Sequence, residues 1–418
     1  MKSVSIPWGA WRGNKGFLLT FPKNWKVIMA SMADAPDVGQ AEIRKAFTNP
    51  IGQETIHRLA EGKKTAVIAV DDLTRPTQAY RFLPFIVEEL NKGGIKDENI
   101  KIILAIGCHR PLMKTDQEKK LGKKMASRFP VYNHHPYENL VNVGTTSRGT
   151  PVQINRYFVE ADVKVGVGFI TPHPTAGFGG GGKIVIPGLG SMETIEKNHT
   201  PAFMGKVGST GFAQGYDLNT NELRLDMEEG ARMAGLNVIV NSVGTSEGKT
   251  AGVFVGDLVQ AHRAAVEMAR KVYVTEAPAA MDIGIFNAFP EDTELVQAQK
   301  ALNVWTGNIG RRLVREGGKV VVATASSDGL GFHSLADRGM RLYRKVDHRK
   351  TIGQIFQGRK VIVFSPNCSR ADLLERYPEN VLICNTWKDV LEGLKDGSSS
   401  QSVAIYPNGS LQYTAIGR

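Results

Sequence analysis

The sequence contains few cysteines and no long apolar segment. Only three of its 418 residues are cysteine, Cys108, Cys368 and Cys384, and they form no CxxC motif. Such usage is typical of a reducing cytoplasm, which is where we expect the protein. No run approaches the roughly 18 consecutive apolar residues of a membrane-spanning helix, and the N-terminus lacks the apolar core of a signal peptide. The sequence therefore predicts a cytoplasmic protein with no membrane partner.

The positive charge also lacks the clustering that nucleic-acid binding requires. The formal net charge is +11, but lysine and arginine are scattered rather than gathered into a stripe with interleaved aromatic residues. The nearest approach to a run, which we interpret as a solvated helix face, is Lys119, Lys120, Lys123 and Lys124. We therefore expect no nucleic-acid partner, whereas the charge suits a small anionic substrate.

Short apolar strands alternate with helical segments along the whole chain. Continuous apolar runs of this length are typical of strands buried in a parallel sheet. Six of them stand out, at 65–70, 100–107, 162–170, 281–289, 319–325 and 360–366. We predict an α/β fold with two α/β domains, 1–271 and 272–418, and an active site in the cleft between them.

Polar residues follow the first three of these strands. The segment DDLTRP (71–76) follows the first strand, HRP (109–111) the second, and TPHPTAGFGGGGK (171–183) the third. Open α/β sheets bind their ligands at the carboxyl ends of strands. In the first segment, Arg75 has the planar geometry that binds a carboxylate or phosphate with two hydrogen bonds. The same segment also fits a simple turn before a helix.

Two histidines, His109 and His173, lie at separate strand ends. Because an ordinary imidazole has a pKa near ~6.5, one histidine can act as base while the other acts as acid. A racemase needs this arrangement, although the residue types alone also allow structural roles. His199 follows the predicted helix SMETIEKN, and no HExxH or His-x3-His spacing predicts a zinc site. We interpret His134 and His135 as surface residues.

The glycine-rich segment Gly177–Lys183 matches GxxxxGK, the first part of a P-loop. However, Ile184 replaces the Ser or Thr that would bind magnesium, and IVIPGLG does not resemble the helix start that phosphate binding needs. A glycine turn with a solvent-exposed lysine is the structural alternative. Further along, Gln297 and Lys300 share one face of a predicted helix, which by itself indicates an exposed surface.

Taken together, five segments resemble the nickel-dependent lactate racemase family in sequence and order. They are DDLTRP, GCHRP, HPTAGFGGGGKIVIPG, ETIEKNH and QAQK, and the similarity extends over roughly residues 15–310. The resemblance implies a two-domain α/β enzyme that racemises or epimerises a small 2-hydroxy acid anion. It implies reversible hydride transfer through a 2-keto intermediate. It also implies a nickel(II) pincer nucleotide attached covalently to Lys183 and supplied by cofactor-maturation enzymes.

The resemblance also implies a role for each matching residue. His109 and His173 would be the acid/base pair, and His199 would ligate nickel. Arg75, Gln297 and Lys300 would contact the substrate. The cofactor would be contacted by Lys183, Asp72, Thr74, Arg75, Gly179, Gly180, Gly181 and Gly182. One departure is that glycine stands near position 179, where the family pattern has serine.

Two other classes of protein remain as alternatives. The first is a relative that binds an organic anion without catalysis, which the presence of Lys183 and His199 argues against. The second is a P-loop-like nucleotide hydrolase, which Ile184 argues against. The sequence leaves open which hydroxy acid is the substrate and how many subunits assemble.

Overall fold

Two six-stranded sheets form the framework of the protein. A computed structural model describes residues 1–13, 15–199, 217–305, 312–334, 337, 339–342, 356 and 358–414. In spatial order, the first sheet contains Thr250–Gly256, Val238–Gly244, Val163–Phe169, Ala66–Val70, Ile100–Leu104 and Val131–Asn133. The second contains Leu382–Cys384, Lys360–Phe364, Val314–Ala323, Met281–Asn287, Ser402–Tyr406 and Lys26–Met29. The predicted α/β class is confirmed.

Nearly all neighbouring strands in the two sheets run parallel. The one antiparallel pair joins Val238–Gly244 to Thr250–Gly256 at the edge of the first sheet. Parallel strands need crossover segments, and helices that cover both faces of the sheet supply them here. The α-helices are Gln40–Thr48, Ile56–Ala60, Ala79–Lys92, Lys114–Leu121, Lys123–Arg128, Arg156–Glu160, Met192–Asn198, Glu222–Met233, Gln260–Tyr273, Arg370–Arg376 and Trp387–Leu394.

Shorter elements complete the described chain. Three two-stranded antiparallel pairs join Lys2–Ile6 to Phe17–Phe21, Leu140–Thr145 to Pro151–Asn155, and Pro172–His173 to Gly177–Phe178. Three segments form 3₁₀-helices, Asp97–Asn99, Gly181–Ile184 and Leu295–Leu302. None of the described helices is both long and apolar enough to cross a membrane.

The strand Ala66–Val70 shows why the apolar runs are continuous. Ala66, Ile68 and Val70 pack into one hydrophobic cluster together with helix Ala79–Lys92. Val67 and Ala69 point to the opposite face and pack into a second cluster. Because successive side chains point to opposite faces and both faces are covered, every residue of the strand is buried.

The fold corrects the interpretation of one histidine and shows that an N-terminal strand belongs to the second sheet. The interpretation of His134 as a surface residue is wrong, since its ring is buried and its Nε2 lies 2.9 Å from the carbonyl oxygen of Gly190. The strand Lys26–Met29 pairs with Ser402–Tyr406 of the second sheet. The division of the chain at residues 271 and 272 stays a prediction.

Candidate active site

A cavity lies at the carboxyl ends of the central strands of the first sheet. Its volume is about 100 Å³. The predicted site residues that line it are Asp72, Arg75, His109, His173, Gly179, Gly180, Lys183 and His199. His333, from the loop after strand Val314–Ala323 of the second sheet, also lines it. The predicted residues Thr74, Gly181, Gly182, Gln297 and Lys300 do not.

His109 and Asp72 form a buried pair on one side of the cavity. Nδ1 of His109 lies 2.6 Å from Oδ2 of Asp72. Burial alone would raise the pKa of Asp72, but the neighbouring His109 and Arg75 hold it well below its usual range. An ionised carboxylate only accepts hydrogen bonds, so Nδ1 of His109 carries the hydrogen. Nε2 of His109 is then a proton acceptor, as a general base requires.

His173 has the opposite hydrogen-bond arrangement. Its Nδ1 accepts hydrogen bonds from the backbone N–H groups of Ala176 at 3.1 Å and Thr175 at 3.3 Å. Burial and the nearby charges of Lys183 and Lys300 lower the pKa of His173 well below the ordinary value, so the ring is neutral. A neutral ring that accepts at Nδ1 carries its hydrogen on Nε2. In this geometry His173 therefore presents a hydrogen-bond donor, Nε2–H, and it acts as a general acid only when the ring is also protonated.

The glycine loop before Lys183 is shaped by close contacts with the protein behind it. Gly180 and Gly181 have φ angles of 71° and 60°, in the left-handed region that favours glycine. A Cβ atom on Gly180 would lie 2.7 Å from Oδ1 of Asn241, and one on Gly181 would lie 2.9 Å from Cδ2 of His262. The loop thus packs against protein on one side while Gly179 and Gly180 line the cavity on the other.

Three buried polar side chains hold this loop in place. Oδ1 of Asn241 accepts a hydrogen bond from the N–H of Gly181 at 2.8 Å, and Nε2 of His262 lies 2.9 Å from the carbonyl oxygen of Gly179. Arg224 donates to the carbonyl oxygens of Ala176, Phe178 and Gly180. Sequence inspection missed all three, because they lie 41 or more residues after Lys183 and belong to no local motif.

Lys183 presents its amine to the cavity among other positive groups. Burial, followed by the charges of Arg224, Arg75 and Lys300, lowers the pKa of Lys183 well below that of ordinary lysine. A lowered pKa increases the fraction of the amine in the neutral form, which carries the lone pair that a nucleophile needs. Lys183 lies within a short 3₁₀-helix, Gly181–Ile184, rather than at the start of a long helix, so the loop does not adopt the P-loop arrangement.

His199 is oriented by the helix that precedes it. It follows Met192–Asn198, and its Nδ1 lies 3.0 Å from the carbonyl oxygen of Ile195. A carbonyl only accepts, so Nδ1 carries the hydrogen and the lone pair of Nε2 is available to bind a metal. Burial and the nearby Lys183 lower the pKa of His199 to about 4, which keeps the ring neutral.

Glu291 connects the two sheets through a group of charged side chains. It follows strand Met281–Asn287, is fully buried, and accepts hydrogen bonds from Arg75 at 3.1 Å and Lys300 at 2.8 Å. Oε1 of Gln297 also accepts from Arg75, at 3.3 Å. Gln297 is only 4% exposed, so the interpretation of this segment as an exposed helix face is wrong. Gln297 contacts the cavity residue Arg75 directly, and Lys300 is linked to Arg75 through Glu291.

Lys120 positions the loop that carries Asp72 and Arg75. Its amine lies 2.7 Å from a carboxylate oxygen of Asp71 and donates to the backbone carbonyls of Asp72 and Arg75 at 2.7 and 2.9 Å. Its side chain is completely buried. The interpretation of the lysine run as a solvated helix face is therefore wrong at this position. A lysine at the end of a helix that faces a strand-end Asp-Asp pair is the sequence signal for such a contact.

The fold and the cavity define an α/β protein with histidine, lysine and arginine side chains on one enclosed site, as in enzymes of small anionic molecules. The sequence comparisons make this class specific. The lactate racemase N-terminal domain family matches residues 12–210. The chain is 32% identical over 337 residues to a lactate racemase of Thermoanaerobacterium thermosaccharolyticum, covering 79% of this chain and 76% of that protein. It is 31% identical over 307 residues to a lactate racemase of Lactiplantibacillus plantarum, covering 71% and 70%.

Solved structures agree with this fold. The lactate racemase apoprotein of T. thermosaccharolyticum superposes with a TM-score of 0.74 at 24% identity, covering 98% of this chain and 99% of the other. A protein from Thermotoga maritima superposes with a TM-score of 0.68 at 17% identity, covering 91% and 99%. The chain belongs to the lactate racemase family, and it is an isomerase of the racemase class.

Proposed function

We propose that the protein racemises or epimerises a small 2-hydroxy acid, with lactate as the first candidate, using a nickel pincer nucleotide attached to Lys183. The observation that carries this proposal is the pair of histidines with opposite hydrogen-bond arrangements on one cavity. His109 has the lone pair of Nε2 available, and His173 carries an N–H at Nε2. Inversion at C2 requires the hydride to return to the opposite face of a planar 2-keto intermediate, so that one histidine deprotonates the hydroxyl oxygen and the other reprotonates it.

The residues present fit this cofactor. A lysine amine with a lowered pKa on the cavity wall suits a covalent attachment, and the positive groups around it suit a nucleotide phosphate. No group of three or more His, Cys, Asp or Glu side chains able to hold a metal occurs in the part of the chain that the structure describes. Carbon and sulfur donors from a pincer would leave one position of a square-planar nickel for a protein ligand, which His199 would fill.

The protein's own residues would act as follows. Nε2 of His109 takes the hydroxyl proton of the substrate while its Nδ1–H donates to Asp72. When bound, the pincer nucleotide supplies reversible acceptance of the C2 hydrogen as hydride. Protonated His173 would return a proton to the oxygen through Nε2 and become a neutral ring, and the C2 hydrogen would return to the opposite face of the 2-keto acid. Arg75 and Lys300 would bind the substrate carboxylate, and Gln297 would support Arg75. This binding would hold C2 and its hydroxyl group in position for both histidines.

A panel of enantiopure 2-hydroxy acids tests the proposal. The protein would be produced together with cofactor-maturation enzymes, and the loss of optical rotation would be followed for each acid. We expect loss of rotation with at least one acid and no turnover of ATP. Tight binding of the acids without loss of rotation would instead indicate the anion-binding alternative. ATP hydrolysis would indicate the nucleotide hydrolase.

The Lys300→Met variant should weaken the use of substrate without affecting the cofactor. A hydrogen bond to a charged group contributes roughly 1.5–3 kcal/mol, so kcat/KM should fall by about ten- to a hundredfold. Burial and the charge of Arg75 lower the pKa of Lys300 to about 8. In the wild-type enzyme, KM should therefore rise as the pH increases through this value, because the neutral amine no longer binds a carboxylate.

Steady-state kinetics as a function of pH measure both effects. Lys388→Met is the matched control, since Lys388 is an exposed lysine of the second sheet's helix Trp387–Leu394. If kcat/KM and the alkaline rise in KM were the same in Lys300→Met as in the wild type, Lys300 would have no role at the substrate.

The His199→Ala variant should separate nickel binding from attachment of the organic cofactor. The nucleotide would remain on Lys183, because His199 takes no part in that bond, whereas most nickel would be lost with its one protein ligand. Intact-protein mass and metal analysis measure the two quantities independently. His135→Ala, which removes an exposed histidine, is the control. Full nickel content in His199→Ala would show that another group is the ligand.

A further inference from the structure

Net turnover in one direction leaves the two histidines in the wrong protonation states. A cycle that begins with deprotonation by His109 ends with His109 protonated and with His173 one proton short. The next cycle in the same direction cannot start until His109 has lost its proton and His173 has regained one. A racemase of this design therefore needs a route by which protons exchange with solvent.

A second, smaller cavity touches the far side of the His109–Asp72 pair. Its volume is about 10 Å³, comparable with the roughly 10–15 Å³ that one ordered water molecule requires. Its lining residues include His109, Asp72, Thr293, Glu294 and Asp328, so it shares His109 and Asp72 with the active-site cavity. Thr74 and Arg110 also line it, and the partly exposed Arg110 pairs with Asp328 at 2.8 Å.

Glu294 is the buried carboxylate on this cavity. Glu294 is only 2% exposed, and its Oε1 atom is buried without a hydrogen-bond partner among the described residues. The hydroxyl of Thr293, on the same cavity, is likewise without a partner there. A buried polar atom without a protein partner is costly unless water satisfies it. A cavity with several polar lining atoms is the kind of space that ordered water occupies.

We propose that Glu294 is a proton-relay residue that returns the proton of His109 to solvent through this second cavity, an inference that rests on the proposed racemase function. The proton leaves Nε2 of protonated His109 and passes through water to the ionised carboxylate of Glu294. His109 becomes neutral and Glu294 becomes a neutral acid. Glu294 then releases the proton to a water or buffer molecule at the Arg110–Asp328 rim. No bond other than those to the proton changes.

The surroundings of Glu294 suit this exchange near neutral pH. Burial raises the pKa of Glu294 to about 7, with His109 and Arg110 lowering it and Asp72 raising it. Asp328 faces it across the cavity, and the loop at Gly331 packs directly against its carboxyl group. A relay works best when its pKa lies near the working pH, because it then both accepts and releases protons readily.

The charges that most affect the pKa of His173 belong to the cations Lys183, Lys300, Arg75 and Arg224, and His173 does not line the second cavity. The relay therefore serves the His109 side of the site. Asp72 itself is unsuited to the task, since its pKa is held well below the usual range and it stays ionised.

The Glu294→Gln variant of the cofactor-loaded enzyme tests the relay. An amide of the same shape cannot carry the proton, so kcat at low buffer concentration should fall by about a hundredfold. The value of kcat/KM should stay within about twofold of the wild type, because the reset follows product release and does not enter this ratio. Raising the concentration of phosphate or of MOPS at constant ionic strength should restore kcat, since the buffer takes the proton directly.

A matched control is Glu89→Gln, which removes a buried carboxylate that pairs with His57 and lines neither cavity. It should show wild-type kinetics at every buffer concentration. The relay is wrong if Glu294→Gln retains wild-type kcat at low buffer, or if kcat and kcat/KM fall together without buffer rescue, as a distorted site would produce. If the wild-type loaded enzyme racemises no 2-hydroxy acid, the proposed function itself fails, and the two failures are distinguishable.

Discussion

The Lys183→Ala variant is expected to carry no covalent nucleotide and to show no racemisation above background. Lys183 has the only lysine amine that lines the active-site cavity within the described ranges. Burial and its neighbours lower the pKa of the amine, which favours the nucleophilic form that makes the attachment, and alanine has no group that replaces it. Intact-protein mass spectrometry after production with cofactor-maturation enzymes measures the adduct, and polarimetry measures the activity.

The fold of this variant should be preserved. The pKa of Lys183 in the folded protein lies below its value in the unfolded chain, so the side chain destabilises the fold at neutral pH. This penalty is fully present below the lowered pKa and disappears as the pH rises to the ordinary lysine value. Lys183→Ala should therefore unfold at the same temperature as the wild type or higher. Lys197→Ala, at an exposed lysine, should keep both adduct and activity; an adduct on Lys183→Ala would end the account.

Replacing either histidine of the pair should abolish racemisation in both directions while leaving one half-reaction. General acid and base groups each contribute about a hundred- to ten-thousandfold, and a full turnover uses both. His173→Ala retains the His109–Asp72 pair, so it should oxidise the enantiomer whose hydroxyl group faces His109. His109→Ala should react, if more slowly, with the opposite enantiomer. Acid quenching after rapid mixing with each pure enantiomer, followed by assay of the 2-keto acid, measures these half-reactions.

The structure predicts that the two variants are unequal. His109 already presents the lone pair of Nε2, whereas His173 must first move its hydrogen from Nε2 to Nδ1, against the N–H groups of Thr175 and Ala176. The half-reaction of His109→Ala should therefore be the slower one. If both variants formed keto acid from the same enantiomer, the assignment of the histidines to opposite faces would be wrong.

Much of the framework could be predicted from the sequence because it depends on local patterns. The strand predicted at 65–70 is observed at Ala66–Val70, and the strand predicted at 100–107 at Ile100–Leu104. A strand covered on both faces must be apolar throughout, and this signal is contained in the strand itself. The polar segments that end such strands, including Asp72 and His109, were found for the same reason.

Groups that act across the fold could not be predicted in this way. Glu291 joins Arg75 to Lys300 only after two sheets meet, and Lys120 is buried only because the Asp71 loop folds over it. Both are charged residues, for which exposure is the ordinary expectation. The glycines before Lys183 are a further example, because Gly180 and Gly181 leave room for Asn241 and His262, two residues from distant parts of the chain.

The fate of the C2 hydrogen tests the central claim most directly. Loaded enzyme would be incubated with L-lactate, or with the best acid of the panel, in D₂O until the optical rotation is lost, and the product examined by proton NMR. The account requires that the hydrogen leave and return as hydride while His109 and His173 handle only the hydroxyl proton. It therefore predicts a racemic product that retains protium at C2. Deuterium at C2 would show that a base removes the carbon-bound hydrogen as a proton, which would contradict the account.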